Sequence, residues 1–264
     1  MKRGVAGNRP LFWIRSGASA GLVLLGSLLI VSNVAAALIV GTARSERLMG
    51  TNAPDTIAAR AGQDRIFALG GNDAVNAGLG NDRVQGGGGN DTIIGRPGRD
   101  ILAGGPGDDS VFGGFGNDRV FGGAGNDQLT GNFGRDLMAG GPGDDRSFGG
   151  PGNDRIFANR GVDESFGGDG KDDLWALARA DVPLPGADTL HGERGNDTFH
   201  TRDGEDDRID CGDGNHDIAL LDNVDVIVDA SPANPRGSCE VVKRRAPKPK
   251  EDRDENKEES RRSD

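Results

Sequence analysis

The sequence predicts an all-β fold of stacked coils, each coil built from two nine-residue units, and three periodic observations carry the prediction. First, Asp55, Asp64, Asp73, Asp82, Asp91, Asp100, Asp109, Asp118, Asp127, Asp136, Asp145, Asp154, Asp163, Asp172 and Asp181 fall nine residues apart without a slip. Second, each aspartate from Asp64 to Asp172 has glycine two residues before it, Gly62 and Gly71 through to Gly170. Third, an apolar side chain stands two residues after most of them, as in Ile66, Val75, Val84, Ile93, Leu102, Val111, Val120, Leu129, Met138, Ile156 and Leu174.

Each unit reads as a six-residue turn followed by a three-residue strand. Glycine in the turn permits positive φ and close approach of neighbouring backbones. One apolar residue in so short a strand points to a single face, and that face is buried only by stacking on other units. Two units, with their turns at opposite edges, close one coil of eighteen residues. Ser147 and Ser165 stand in the apolar column, and Phe148 and Phe166 beside them are expected to turn inward in compensation. Arg65, Arg83, Arg119, Arg146 and Arg155 directly follow their aspartates and are expected to offset acidic repulsion. An aromatic column three residues after the aspartate (Phe67, Phe112, Phe121, Phe148, Phe157, Phe166, Trp175) has two readings: stacking between coils, or an apolar surface for a partner.

Seven units carry the full form Gly-Gly-x-Gly-x-Asp, ending at Asp91, Asp109, Asp118, Asp127, Asp145, Asp154 and Asp172. Copies such as GGGGNDTII (86–94), GGFGNDRVF (113–121) and GGAGNDQLT (122–130) resemble the hemolysin-type, or RTX, calcium-binding nonapeptide GGxGxDxUx. The resemblance covers residues 41–181 and implies a right-handed parallel β-roll, a β-solenoid with calcium in the turns between coils.

The residues argue for a cation on their own account. One apolar side chain per nine residues offsets little of the entropy lost in ordering a glycine-rich backbone. Stacking also sets each aspartate near the one eighteen residues on, at about the 4.8 Å separation of adjacent strands. Two rows result: Asp73, Asp91, Asp109, Asp127, Asp145 and Asp163 in one, and Asp64, Asp82, Asp100, Asp118, Asp136, Asp154 and Asp172 in the other. Like charges that close repel unless a cation lies between them. Calcium, taking about six to eight oxygens in flexible geometry, suits carboxylates plus turn carbonyls better than magnesium. The expectation is about ten Ca2+ ions, each shared by residues i and i+18, on the analogy of such oxygen-rich sites. Backbone carbonyls near Gly87, Gly89, Gly114, Gly116, Gly123, Gly125, Gly150 and Gly152 complete the expected ligand set. The alternative is a degenerate solenoid with solvated acidic turns. Asp55 and Asp181 lack the glycine and are expected to be rims.

The flanks divide the rest of the chain. Residues 1–15 hold Lys2, Arg3, Arg9 and Arg15 and no acid, residues 16–43 are uncharged, and Ala35-Ala36-Ala37 offers a cleavage site. Residues 1–37 therefore read as a secretory signal, with an uncleaved membrane anchor as the alternative. Cleavage would take the net charge from −11 to −15 by removing four cations. Residues 38–181 are the expected roll, and 182–242 hold divergent repeats at Asp188, Asp197 and Asp206, with Asp188 and Asp197 as further candidate calcium ligands, and then a cap. Cys211 and Cys239, the two cysteines, are expected to form a disulfide in an exported protein, with two free thiols as the alternative. Residues 243–264 read as a disordered charged tail.

No catalytic residue is expected. Gly17-Ala18-Ser19-Ala20-Gly21 matches a nucleophile elbow but lies in the signal segment, and HExxH does not occur. Interspersed acids exclude a nucleic-acid surface. An exported, calcium-dependent binding and structural protein is the reading, with a cell-surface adhesin or spacer, or the calcium-binding part of a hydrolase, as alternatives. Calcium is the expected partner, a cell-surface or self-association partner is open, and a membrane is involved only if residues 1–37 stay attached.

Overall fold

A computed structural model describes residues 15–16, 36–176, 187–228 and 238–245. Their strands fall into two sheets, one of twelve and one of eleven strands, which the chain visits alternately. Pairing is parallel throughout, except where Arg15–Ser16 runs antiparallel to Ala37–Val40. The register equals one coil: Val111 pairs with Ile93 before it and Leu129 after it, eighteen residues in each direction. The chain is thus an all-β parallel solenoid of about ten turns.

Several strands hold the expected three residues, such as Ala74–Asn76 and Arg155–Phe157, and others are longer. Ser110–Phe115 and Arg119–Ala124 each hold six, because the ladder continues through the Gly-Gly pair. Alternation along them buries two positions per unit, the second and the fourth after the aspartate. The second-position column includes Ile57, Val75, Ile93, Val111 and Leu129 in one sheet and Ile66, Val84, Leu102, Val120 and Met138 in the other, all essentially inaccessible. The fourth position holds Ala59, Ala68 and Ala77 and then mostly glycine, where a Cβ would meet the following aspartate and a carbonyl of the next coil, as at Gly104 and Gly113.

Ser147 and Ser165 are buried in the second-position column. Phe148 and Phe166 do not turn inward to replace them. Both are half-buried on the outer face, since the ladder fixes the alternation and the third position cannot point in. The apolar core divides there into two clusters, one ending at Ile156 and the other beginning at Ala158.

The sheets continue beyond the irregular segment. Glu164 pairs with Thr189 and Asp173 with Thr198, twenty-five residues on instead of eighteen, so seven residues leave the coil between them. Asp181 and residues 177–186 lie outside the described residues, as do most of the signal segment and the tail beyond Arg245. Residues 187–228 extend the same two sheets rather than forming a separate cap. The last strand, Val241–Arg244, pairs with Ile218–Leu221 and so takes in the first residues of the expected tail. At the other end Ala37, assigned to the signal, is the first residue of a ladder strand. The Cys211–Cys239 disulfide is formed and ties this last strand to the preceding turn.

Candidate metal centre

Each aspartate closes a turn and opens a strand, and the parallel register brings it beside its counterpart one coil away. The contact is a hydrogen bond. The amide of Asp91 donates to Oδ1 of Asp109 at 2.7 Å, that of Asp100 to Oδ1 of Asp118 at 2.8 Å, and that of Asp154 to Oδ1 of Asp172 at 2.7 Å. The expected rows are two continuous ladders. Both cross the irregular segment, through Asp163 to Asp188 at 2.9 Å and Asp172 to Asp197 at 2.8 Å.

The second oxygen is the unusual one. Oδ2 of all thirteen aspartates from Asp64 to Asp172 is buried without a hydrogen-bond partner, as is Oδ2 of Asp197. A buried polar atom left so costs on the order of 1–3 kcal/mol, and more when charged. Beside most of these orphans lies space that glycine leaves open, while Ala59, Ala68, Ala77 and Ala158 stand at that position before Asp64, Asp73, Asp82 and Asp163. A Cβ placed on Gly113 would stand 2.7 Å from Oδ2 of Asp118 and 2.7 Å from the carbonyl oxygen of Gly131. One placed on Gly167 would meet Oδ2 of Asp172 at 2.6 Å and the Gly192 carbonyl at 2.9 Å. A carboxylate oxygen and a carbonyl oxygen of the next coil therefore border the same gap, and this donor set fits a hard cation.

Burial pushes these carboxyls upward. Asp100 and Asp109 rise to about 7, chiefly through desolvation, with the ladder amide pulling back and the neighbouring aspartates adding to the rise. Asp145 and Asp154 rise to about 8 for the same reasons. Asp188 reaches about 9 through its burial, to which Asp163, Asp203 and Glu205 add their charge. Among the described residues, no three His, Cys, Asp or Glu side chains gather as a self-sufficient metal cluster. A cation here draws on backbone oxygens as well.

The carbonyls expected from sequence to serve as ligands line the turns between successive coils. Those of Gly87, Gly89, Gly116, Gly123, Gly125, Gly150 and Gly152 face the glycine one coil on, and Gly114 pairs with Asn132 in the ladder. The carbonyls bordering the orphan oxygens belong to the first glycine of each turn, such as Gly104, Gly122 and Gly131. Asp55 is in the ladder, but the Thr51 amide occupies its Oδ2 at 2.6 Å. Past the irregular segment Asp207, not Asp206, takes the rung, at 3.0 Å from the Asp188 amide. Asp217 and Asp225 continue the two ladders, and Glu240 ends one of them. The signal for these is the aspartate-to-core spacing Asp207-x-Ile209, Asp217-x-Ala219 and Asp225-x-Ile227, which survives where the glycine is lost.

A second, exposed ladder escaped sequence reasoning altogether. Oδ1 of Asn72 accepts from the amide of Asn90, Oδ1 of Asn90 from Asp108, and Oδ1 of Asn117 from Arg135. The Asn-Asp dipeptide of the repeat is its signature. The aromatic column stacks between coils in part: Phe148, Phe166 and His191 form one column, and Phe157, Trp175 and His200 another. Arg146 and Arg155 pair with Glu164 and Asp173 of the next coil at 2.8 and 2.9 Å, on the outer face rather than at the buried rows.

A sequence model of the RTX calcium-binding nonapeptide repeat, four copies long, matches residues 40–75, 76–111, 103–138, 139–174 and 184–215, more than half of the chain. The chain belongs to this RTX repeat family. No curated protein matches it. The matches stop at Leu174 and resume at residue 184, across the segment where the RTX coil takes in its extra residues. RTX repeats bearing a double aspartate ladder imply calcium binding.

Proposed function

We propose that this chain is an exported calcium-binding β-roll that folds on calcium and acts as a structural and binding module, not as an enzyme. The observation that carries the reading is the row of orphaned Oδ2 atoms, most of them beside a carbonyl of the next coil across a gap kept open by glycine. Asp64 to Asp172 in the two rows, with Asp197, hold the ions, about ten in all by the count of oxygen-rich gaps such ions need. Calcium supplies the positive charge that the paired carboxylates lack. The carboxylates point into closed turns, where they meet backbone rather than a substrate. Export accords with the uncharged segment after a basic N-terminus and with a disulfide, which persists in oxidising compartments. The roll then orders where calcium is plentiful, because binding to a site absent from the unfolded chain is folding energy.

Calcium titrated into the chelator-stripped chain, followed by far-UV circular dichroism, tests this. A cooperative gain of β signal with several ions bound per chain by calorimetry is expected. A chain already folded in chelator that takes up no calcium would overturn it.

A further inference from the structure

The two edges of the roll differ in charge and bulk, and the differences match. Turns leading from the twelve-stranded to the eleven-stranded sheet form the first edge. There Arg99, Arg135 and Lys171 all stand exposed just before a ladder aspartate, thirty-six residues or two coils apart. On the second edge Asp108 and Asp144 occupy the equivalent position, again exposed and again two coils apart. Cations and anions thus repeat at one spacing, about 10 Å, given the strand separation in a sheet.

Bulk is complementary as well. At the middle position of its turns the first edge carries Leu79, Pro97, Phe115, Phe133 and Pro151 in one line, which ends at Asp169 beside Arg194. Phe115 and Phe133 stack at 4.9 Å and remain 60% and 52% exposed. The same position on the second edge holds Gly70, Gly88, Pro106, Ala124 and Pro142 before Arg160 ends the small-residue line, and the space beyond Gly88 is open. When Arg99 and Arg135 of one copy meet Asp108 and Asp144 of another, Phe115 lies over Ala124 and Asn117 faces Asn126. That match requires the second roll to run antiparallel to the first, because the turns of the two edges cross between the sheets in opposite senses.

We propose that the first edge docks on the second edge of another copy of this chain, side by side. Because the two patches differ, the contact is heterologous and leaves an edge open at each end, so copies add into an open array rather than a closed dimer. The inference rests on the calcium-ordered roll proposed above, since only the folded coil sets the side chains at a common spacing.

Two charge-reversed forms of the full chain test it: Arg99→Glu with Arg135→Glu, and Asp108→Lys with Asp144→Lys. Sedimentation velocity in calcium is expected to show concentration-dependent assembly of the unaltered chain. Each reversed form alone should associate roughly a hundredfold more weakly, because like charges then face each other. An equimolar mixture should assemble again, since each altered edge finds an opposite one. Circular dichroism in calcium checks that each form is folded, and Phe115→Ser with Phe133→Ser should weaken assembly without reversing charge. An unaltered chain that folds in calcium yet stays monomeric overturns the proposal, as does a mixture that fails to recover. A chain whose fold ignores calcium overturns the functional reading instead, and the mixing experiment, run without calcium, still decides the contact.

Discussion

Removing calcium and varying pH together addresses the aspartate ladders most directly. In the folded chain these carboxyls lie above their ordinary value of 3.8, with Asp82, Asp118, Asp127, Asp136 and Asp172 at about 6, Asp100 and Asp109 at about 7, and Asp145 and Asp154 at about 8. In the unfolded chain they return to about 3.9. The folded state therefore binds more protons, and metal-free stability falls as pH rises. It is fully present below about pH 4 and is lost progressively as pH climbs through 6 to 8. Each tenfold gain in proton affinity on folding corresponds to about 1.4 kcal/mol. With solvent screening halving the effect, a carboxyl whose proton affinity rises about a thousandfold still costs about 2 kcal/mol when charged. A dozen such groups exceed the roughly 5–15 kcal/mol margin of a typical domain, so about three to eight charged at once suffice to unfold it. Far-UV circular dichroism of the calcium-free chain should show β structure near pH 4.5 that disappears by pH 8. Calcium should restore it at pH 8, since the ion replaces the protons. Equal structure at both pH values without calcium, or a loss on acidification, would refute the reasoning.

Further perturbations separate the parts of the site. Gly116→Ala puts a Cβ against the Gly98 carbonyl at a residue whose φ is +135°, whereas Gly88→Ala meets open space, so calcium-dependent melting should drop sharply for the first and move by less than about 1 kcal/mol for the second. Asp118→Asn keeps an acceptor for the Asp100 amide while Asp118→Ala removes it; in calcium-free buffer at pH 4.5 only alanine should destabilise, by about 1–3 kcal/mol in a urea melt, and both should lose calcium by calorimetry. Ser165→Ala removes a buried hydroxyl that has no partner and should stabilise by about 1 kcal/mol or more in the same melt. Reducing the Cys211–Cys239 bond, which closes a loop of twenty-eight residues, should cost about 3–4 kcal/mol by chain entropy and expose Val241–Arg244 first in hydrogen exchange.

The period carries most of the fold. A nine-residue spacing held over fifteen aspartates allows little but stacked half-coils, and both ladders are readable from it down to their members. What escapes depends on how backbones meet. Strands reach six residues because the Gly-Gly pair joins the ladder, and a glycine gives no side-chain signal of burial. Arg96 and Leu69 stand where other repeats place glycine yet keep its positive φ, at +82° and +84°, which shows that the coil imposes the conformation. Phe148 runs against expectation because a vacancy beside Ser147 invites a neighbour inward, while a fixed register forbids it. Asp207 takes the rung expected of Asp206 because the turn changes length there, and the glycine spacing no longer marks the ladder.

Fold and site depend on the same carboxylate through different oxygens. Oδ1 joins each coil to the one before it through a backbone amide, and that bond forms whether the group is charged or protonated. Oδ2 has no partner in the protein, so its state decides whether the coil tolerates its own ladder. Protonation relieves the charge at acid pH, and a cation relieves it at neutral pH. Burial is the main cause of the elevation of Asp154, and the charges of Asp136 and Asp172 add to it, so relief at one rung lowers the cost at the next. Cooperativity follows from the stacking itself.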